Sequence, residues 1–160
     1  MRAEKGFSVI ELLIAIAIIL VLTAIAIPSL LRSRVAANES LALGAMRQID
    51  TAETAYASTY PASGYATSLT QLGPPIGNAK VSASAAGMLD SVLGCSSQPC
   101  VRDSYGFAID APGPAPATAY RSIAMPIHPG ISGGRGFCDD QTHHMTYDPD
   151  GNAHCTKKVE

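Results

Sequence analysis

From Phe7 to Leu31 the chain runs for 25 residues with no Lys, Arg or Asp and one carboxylate, Glu11. About 20 apolar residues suffice to cross a bilayer as a helix, so this run can span a membrane. An ionised group among lipid tails costs on the order of a few kcal/mol unless it snorkels or finds a partner. A carboxylate kept at Glu11 therefore points to a specific partner.

A short charged leader, Met1 to Gly6, meets the apolar run at Gly6-Phe7-Ser8-Val9-Ile10-Glu11. This junction resembles the class III signal of type IV pilins and pseudopilins: a basic leader ending in Gly, then Phe, then Glu at the fifth position of the mature chain. The likeness extends through Leu12-Leu13-Ile14-Ala15-Ile16-Ala17-Ile18-Ile19-Leu20 to Pro28, where many relatives carry a helix-kinking proline. It implies cleavage after Gly6 by a membrane-embedded prepilin peptidase and N-methylation of Phe7. It also implies residence in the inner membrane with a periplasmic globular domain, then polymerisation by an assembly machine into an extracellular filament, a homopolymer whose core is made of these helices. There the Glu11 carboxylate would pair with the N-terminal amine of Phe7 on a neighbouring subunit. Adhesion, motility or DNA uptake are the roles such filaments serve.

Other readings of the segment are an ordinary secretory signal cut after Ala24-Ile25-Ala26 and a plain one-span anchor. Glu11 inside the apolar region, and the continuation of the pattern past Ala26, weigh against the first. Arg2 and Lys5 before the run are matched by Arg32 and Arg34 after it, so charge does not settle orientation. Among functions, the alternatives are a pseudopilin of a type II secretion system and, from a different class, a membrane-anchored binding module that never polymerises.

Past Leu31, Val35, Ala42, Ile49 and Tyr56 recur every seven residues, with Leu41, Ala45 and Ala52 on the same stripe. The helix is thus expected to continue, with Arg32, Arg34, Glu39, Arg47, Asp50 and Glu53 mostly on its other faces. Pro61 supplies a stop after Tyr60. At about 1.5 Å per residue a helix over 7–60 would be roughly 80 Å long. Pro28 removes a backbone hydrogen bond and predicts a kink, and Gly44 costs about 1 kcal/mol relative to Ala.

Cys95, Cys100, Cys138 and Cys155 all lie in the C-terminal part. An even number in a small, loop-rich domain reads as disulfides in an oxidising compartment. Of three possible pairings, nearness in sequence favours Cys95 with Cys100 and Cys138 with Cys155. Tryptophan is absent and the soluble part is rich in Ala, Gly, Pro, Ser and Thr, which predicts a small core and long loops. A formal net charge of −2 gives no electrostatic case for nucleic acid.

Short helical patterns are expected at Thr67 to Leu72 and Ser82 to Leu93, with Gly94 as a C-cap. Strand-like runs follow at Tyr105 to Ile109, Thr118 to Met125, His143 to Tyr147 and Ala153 to Thr156, the last two joined by a turn at Asp148-Pro149-Asp150-Gly151-Asn152. The fold class is α+β, a long N-terminal helix packed on a small antiparallel sheet, as the pilin resemblance also implies. The expected divisions are a leader at 1–6, a membrane or filament-core helix at 7–31, an amphipathic helix at 32–60 and a globular domain at 61–160.

Candidate chemical sites are few. His143, His144 and His154 lie near Cys138 and Cys155, but the spacing lacks a Cys-x-x-Cys knuckle and disulfides would consume the thiols. Asp148, Asp150 and Asn152 could offer oxygens to calcium, yet no closing Glu follows, and a plain turn is the simpler reading. Asn38-Glu39-Ser40 matches a glycosylation sequon placed on a helix. No Gly-x-Ser-x-Gly elbow or phosphate loop organises the Ser, His and Asp residues, so neither catalysis nor a cofactor is expected. Gly133-Gly134-Arg135-Gly136 reads as a flexible turn rather than an anion cradle. Tyr56, Tyr60, Tyr65, Tyr105, Phe107 and Tyr120 are expected to fill the helix-sheet core.

Overall fold

A computed structural model describes residues 7–111 and 115–159. The leader 1–6, with the cleavage residue Gly6, lies outside them. The chain divides into two compact units, Met1–Arg34 and Val35–Glu160. One helix, α1 (Val9–Thr59), contributes to both. It begins where the Ser8 carbonyl accepts hydrogen bonds from the Glu11 and Leu12 amides, and it continues through Pro28 without interruption. Pro61 ends it just past Tyr60, since proline cannot donate the next backbone bond.

In the second unit the helix packs on a six-stranded antiparallel meander: β1 (Cys100–Arg102), β2 (Tyr105–Asp110), β3 (Arg121–Pro126), β4 (Gly136–Asp140), β5 (Thr146–Asp148) and β6 (Lys157–Lys158), paired in chain order. The α+β class read from the sequence is the class observed. Ala42, Ala45, Ile49, Ala52 and Tyr56 are buried on the helix stripe as its period requires, and Met46 joins them. Leu41, assigned to that stripe, is exposed instead. Across the sheet, Cys100, Phe107, Ala124, Phe137 and Tyr147 are successive cross-strand neighbours. The small Ala124 leaves room between two phenylalanines, which is how a sheet face of mixed sizes fills a thin core. Tyr56, Tyr105, Phe107 and Tyr120 are fully buried and Tyr60 and Tyr65 partly so, which matches their expected place.

Several expected elements differ. Only α2 (Leu69–Leu72) is helical within the connecting region. Ser82 to Leu93 forms no helix: Ser82 pairs with Ala85 in an isolated bridge and Asp90 to Gly94 is a turn. Gly94 therefore caps no helix but permits a close crossing, because a Cβ there would stand 2.2 Å from the Gly73 Cα. In the sheet, β1 and β4 were not legible as strands. The β1–β2 turn uses Asp103 and Ser104, both at positive φ, where Asn-Gly or Asp-Gly would have been the readable signal. The third and fourth expected strands are displaced to 146–148 and 157–158, because Asp140 to His143 forms a turn and Cys155 is bonded back to β4.

Candidate functional site: the apolar helix and the buried carboxylates

In the first unit α1 is long and apolar enough to cross a membrane, and none of its apolar window is buried by protein. Phe7, Val9, Ile10, Leu12 and Leu13 are all exposed. Two of its hydroxyls bond within the helix: Thr23 Oγ1 donates to the Leu20 carbonyl at 3.0 Å, and Ser33 Oγ to the Ser29 carbonyl at 3.1 Å. That suits an apolar surrounding, where a polar group without an internal partner costs several kcal/mol. Glu11 is different. It is exposed and makes no ion pair among the described residues.

The second unit handles its carboxylates in the opposite way. Glu39, in the first buried turn of its helix, is held by the β3–β4 loop. Gly134 N–H and Arg135 N–H donate to its Oε1 at 2.9 and 3.1 Å, while Arg135 Nε and Nη2 approach its Oε2 at 2.8 and 2.7 Å. The Gly133-to-Gly136 segment is thus an anion cradle after all, and the anion is the chain's own. Glycine is required at its two ends by other parts of the chain: a Cβ on Gly136 would meet the Asn152 carbonyl at 1.9 Å, and one on Gly133 would meet the Tyr105 hydroxyl at 2.0 Å. Arg135 also lies 5.6 Å from the Phe137 ring centre and 5.3 Å from that of Tyr147, so its charge is covered on several sides.

Further along α1, Glu53 is fully buried, with Oε2 accepting the Ala66 amide at 2.8 Å and Oε1 unpartnered. Burial pushes its pKa up to about 8, partly offset by the Ala66 hydrogen bond and raised further by nearby Asp50. Asp139 on β4 is buried and, among the described residues, neither of its oxygens is partnered; nor is the hydroxyl of Ser122, its cross-strand neighbour. Burial, then the charge of Asp50, pushes the Asp139 carboxyl up to about 6. Asp50 accepts from the Tyr120 hydroxyl at 2.7 Å and meets His143 Nδ1 at 2.5 Å. That contact raises the His143 pKa, and the Tyr120 hydroxyl is held above its usual range by burial first and the Asp50 hydrogen bond second.

The sequence pattern puts Glu39 and Glu53 among the charges expected mostly on the helix's other faces. Both are buried, and a signal for this exists: Glu39, Met46 and Glu53 are spaced seven apart, a row parallel to Ala42, Ile49 and Tyr56. Asn38, the sequon residue, donates from Nδ2 to the Ser132 carbonyl at 2.8 Å.

The other candidates fall as follows. Cys95 is bonded to Cys100 and Cys138 to Cys155. Arg121 Nη2 donates to the Ala153 carbonyl and lies 3.6 Å from Cys138 Sγ, which fixes the loop leading to the second bridge. Asp148 is buried and uses Oδ1 for the Asp150 amide at 2.9 Å and Oδ2 for the His154 amide at 3.1 Å. Its carboxylate organises the turn itself. His144 Nδ1 contacts the Thr142 carbonyl at 2.6 Å, and among the described residues no three His, Cys, Asp or Glu side chains gather as a metal would need.

A long N-terminal helix packed on an antiparallel sheet, with an exposed apolar segment at its start, is the architecture of pilins. Residues 1–27 match the family described as the prokaryotic N-terminal methylation motif. Over 41 residues the chain is 56% identical to the Type IV wide pilus major component PilA4 of Thermus thermophilus; the match covers 26% of this chain and 31% of that relative. No solved structure matches the chain. The motif and the relative make this chain similar to type IV pilins over a minor part of its length.

Proposed function

We propose that this chain is a structural subunit of a type IV pilus: cleaved after Gly6, methylated on Phe7, held in the inner membrane with its globular unit in the periplasm, and polymerised into an extracellular filament. The single observation that carries this is the exposed apolar helix with one carboxylate, Glu11, that begins within a methylation motif. A helix this apolar is stable only against lipid or other apolar helices. A filament core supplies the second environment after the membrane has supplied the first. The two disulfides fit an oxidising compartment. The prepilin peptidase and the pilus assembly machinery of the inner membrane are the expected partners, and the filament's role would be adhesion, motility or DNA uptake.

Mass spectrometry of the mature N-terminus tests the processing step. The expected species begins at Phe7 and carries one added methyl group. A chain beginning at Ile27 would mean ordinary signal-peptidase cleavage and would remove the basis for polymerisation.

A further inference from the structure

The β3–β4 loop, residues 127–135, is built unlike a mobile surface loop. Ser132 is buried; its hydroxyl accepts the His128 amide at 2.9 Å, and its amide donates to the His128 carbonyl at 2.9 Å. Gly130 N–H donates to the Gly133 carbonyl at 2.7 Å, and Asn38 and Glu39 bind the loop from α1. Yet this fixed frame holds apolar side chains out in solvent. Ile131 is 74% exposed and Ile127 44%, with Pro129 exposed between them.

From Ile127 to Gly134 the loop contains no Asp, Glu, Lys or Arg, and the charge of Arg135 is neutralised by Glu39. A rigid, uncharged, apolar tip loses little conformational freedom on docking and removes apolar surface from water. Its anchor, Asn38, stands only seven residues along the chain from Leu31, where the apolar run ends. Seven residues reach at most about 25 Å, so the loop is tethered near whatever surface the apolar run enters. Arg32 and Arg34 lie in that tether, where they would attract anionic headgroups, and no acidic residue lies between Leu31 and Asn38 to oppose them.

We propose that the tip of the β3–β4 loop, Ile127 to Ile131, is a lipid contact that seats the globular unit on the membrane surface before assembly. The contact rests on the membrane anchorage proposed above. The chemistry recognised is the headgroup and upper acyl region of an anionic bilayer, where an apolar tip with a histidine beside it is stable.

The chain contains no tryptophan, so an introduced one reports on its own surroundings. Full-length Ile131→Trp and Ile127→Trp variants would be reconstituted in phosphatidylethanolamine–phosphatidylglycerol vesicles, with and without brominated acyl chains. Ile76→Trp, at a position 85% exposed in the connecting region, serves as the solvent reference, and Ile18→Trp as the reference for the membrane segment. Both loop variants are expected to emit to the blue of Ile76→Trp and to lose most of their fluorescence to brominated lipid. Loop emission as red and as unquenched as that of Ile76→Trp, with Ile18→Trp strongly quenched, overturns the loop contact and leaves the anchorage intact. An unquenched Ile18→Trp overturns the anchorage, and the loop contact with it. Blue emission that ignores bromine and grows with protein concentration means that a second copy covers the loop, which also overturns the proposal.

Discussion

Glu11 and Glu39 are both carboxylates on α1, and the chain treats them in contrary ways. Glu39 is buried, receives two backbone amides and an arginine fork, and is complete within its own subunit. Glu11 stands exposed on an apolar surface with no ion-pair partner among the described residues. The contrast shows what self-sufficiency looks like in this chain. Where a carboxylate serves the folded unit, neighbouring residues are shaped around it; where none are, its partner has to come from outside.

Breaking the self-sufficient case should have the largest effect on stability. Glu39→Ala leaves two loop amides without their acceptor, at about 1–3 kcal/mol each, and a half-exposed Arg135 without its counter-charge, which adds at most about 1 kcal/mol. Thermal unfolding of the full chain in detergent should show a lower Tm by that measure, with Glu39→Gln intermediate. An unchanged Tm would mean the cradle contributes nothing. The next largest loss belongs to the second bridge. Closing a loop with a sequence separation of 17 is worth about 3 kcal/mol by chain entropy, so Cys138→Ser with Cys155→Ser should unfold at correspondingly lower denaturant, read from the urea midpoint.

Glu53 and Asp139 sharpen the comparison, because they are buried without a full set of partners. Their folded pKa values, about 8 and about 6, lie above the unfolded values of 4.5 and 3.8. The folded state therefore holds protons that the unfolded state releases, and stability falls as pH rises from about 4 through 6 for Asp139 and through 8 for Glu53. The raised His143 pKa acts in the same direction, since its ion pair with Asp50 is lost as pH rises through the folded value. Asp90 and Asp140, both lowered by hydrogen bonds from nearby groups, oppose this only at the acid end. Unfolding midpoints should thus be higher near pH 5 than near pH 8. Glu53→Gln should raise stability at pH 8 by about 1–3 kcal/mol, and Asp139→Asn by about 1 kcal/mol, with both gains vanishing below about pH 3.5. Equal midpoints across that range would show that these groups titrate as they do in the unfolded chain.

The helix and the class of fold were legible because both rest on periodic patterns: 25 residues without basic charge or Asp, then a seven-residue stripe ending at Tyr56 before Pro61. What escaped was set by contacts distant in sequence. Glu39 and Glu53 read as surface charges because a carboxylate on a helix usually is one; the cradle that makes Glu39 an interior residue lies some 95 positions later. β4 escaped because it begins with glycine and ends with two aspartates, a composition that signals a turn unless Phe137 and Asp139 are known to face the helix side. The connecting region from Ala62 to Pro99 is held by single contacts such as Gln98, whose side chain pairs with the Ile109 backbone as a strand residue would, and nothing periodic announces them.

The most direct test of the central claim removes the carboxylate of the apolar run. Glu11→Ala takes away a side chain with no ion-pair partner among the described residues, so the variant should insert in the membrane and its globular unit should unfold at the wild-type temperature. Filaments counted by electron microscopy should be absent, because a neighbour's Phe7 amine would be buried without its counter-charge. Glu11→Ala cells that assemble wild-type numbers of filaments would contradict the account, since Glu11 would then need no partner at all.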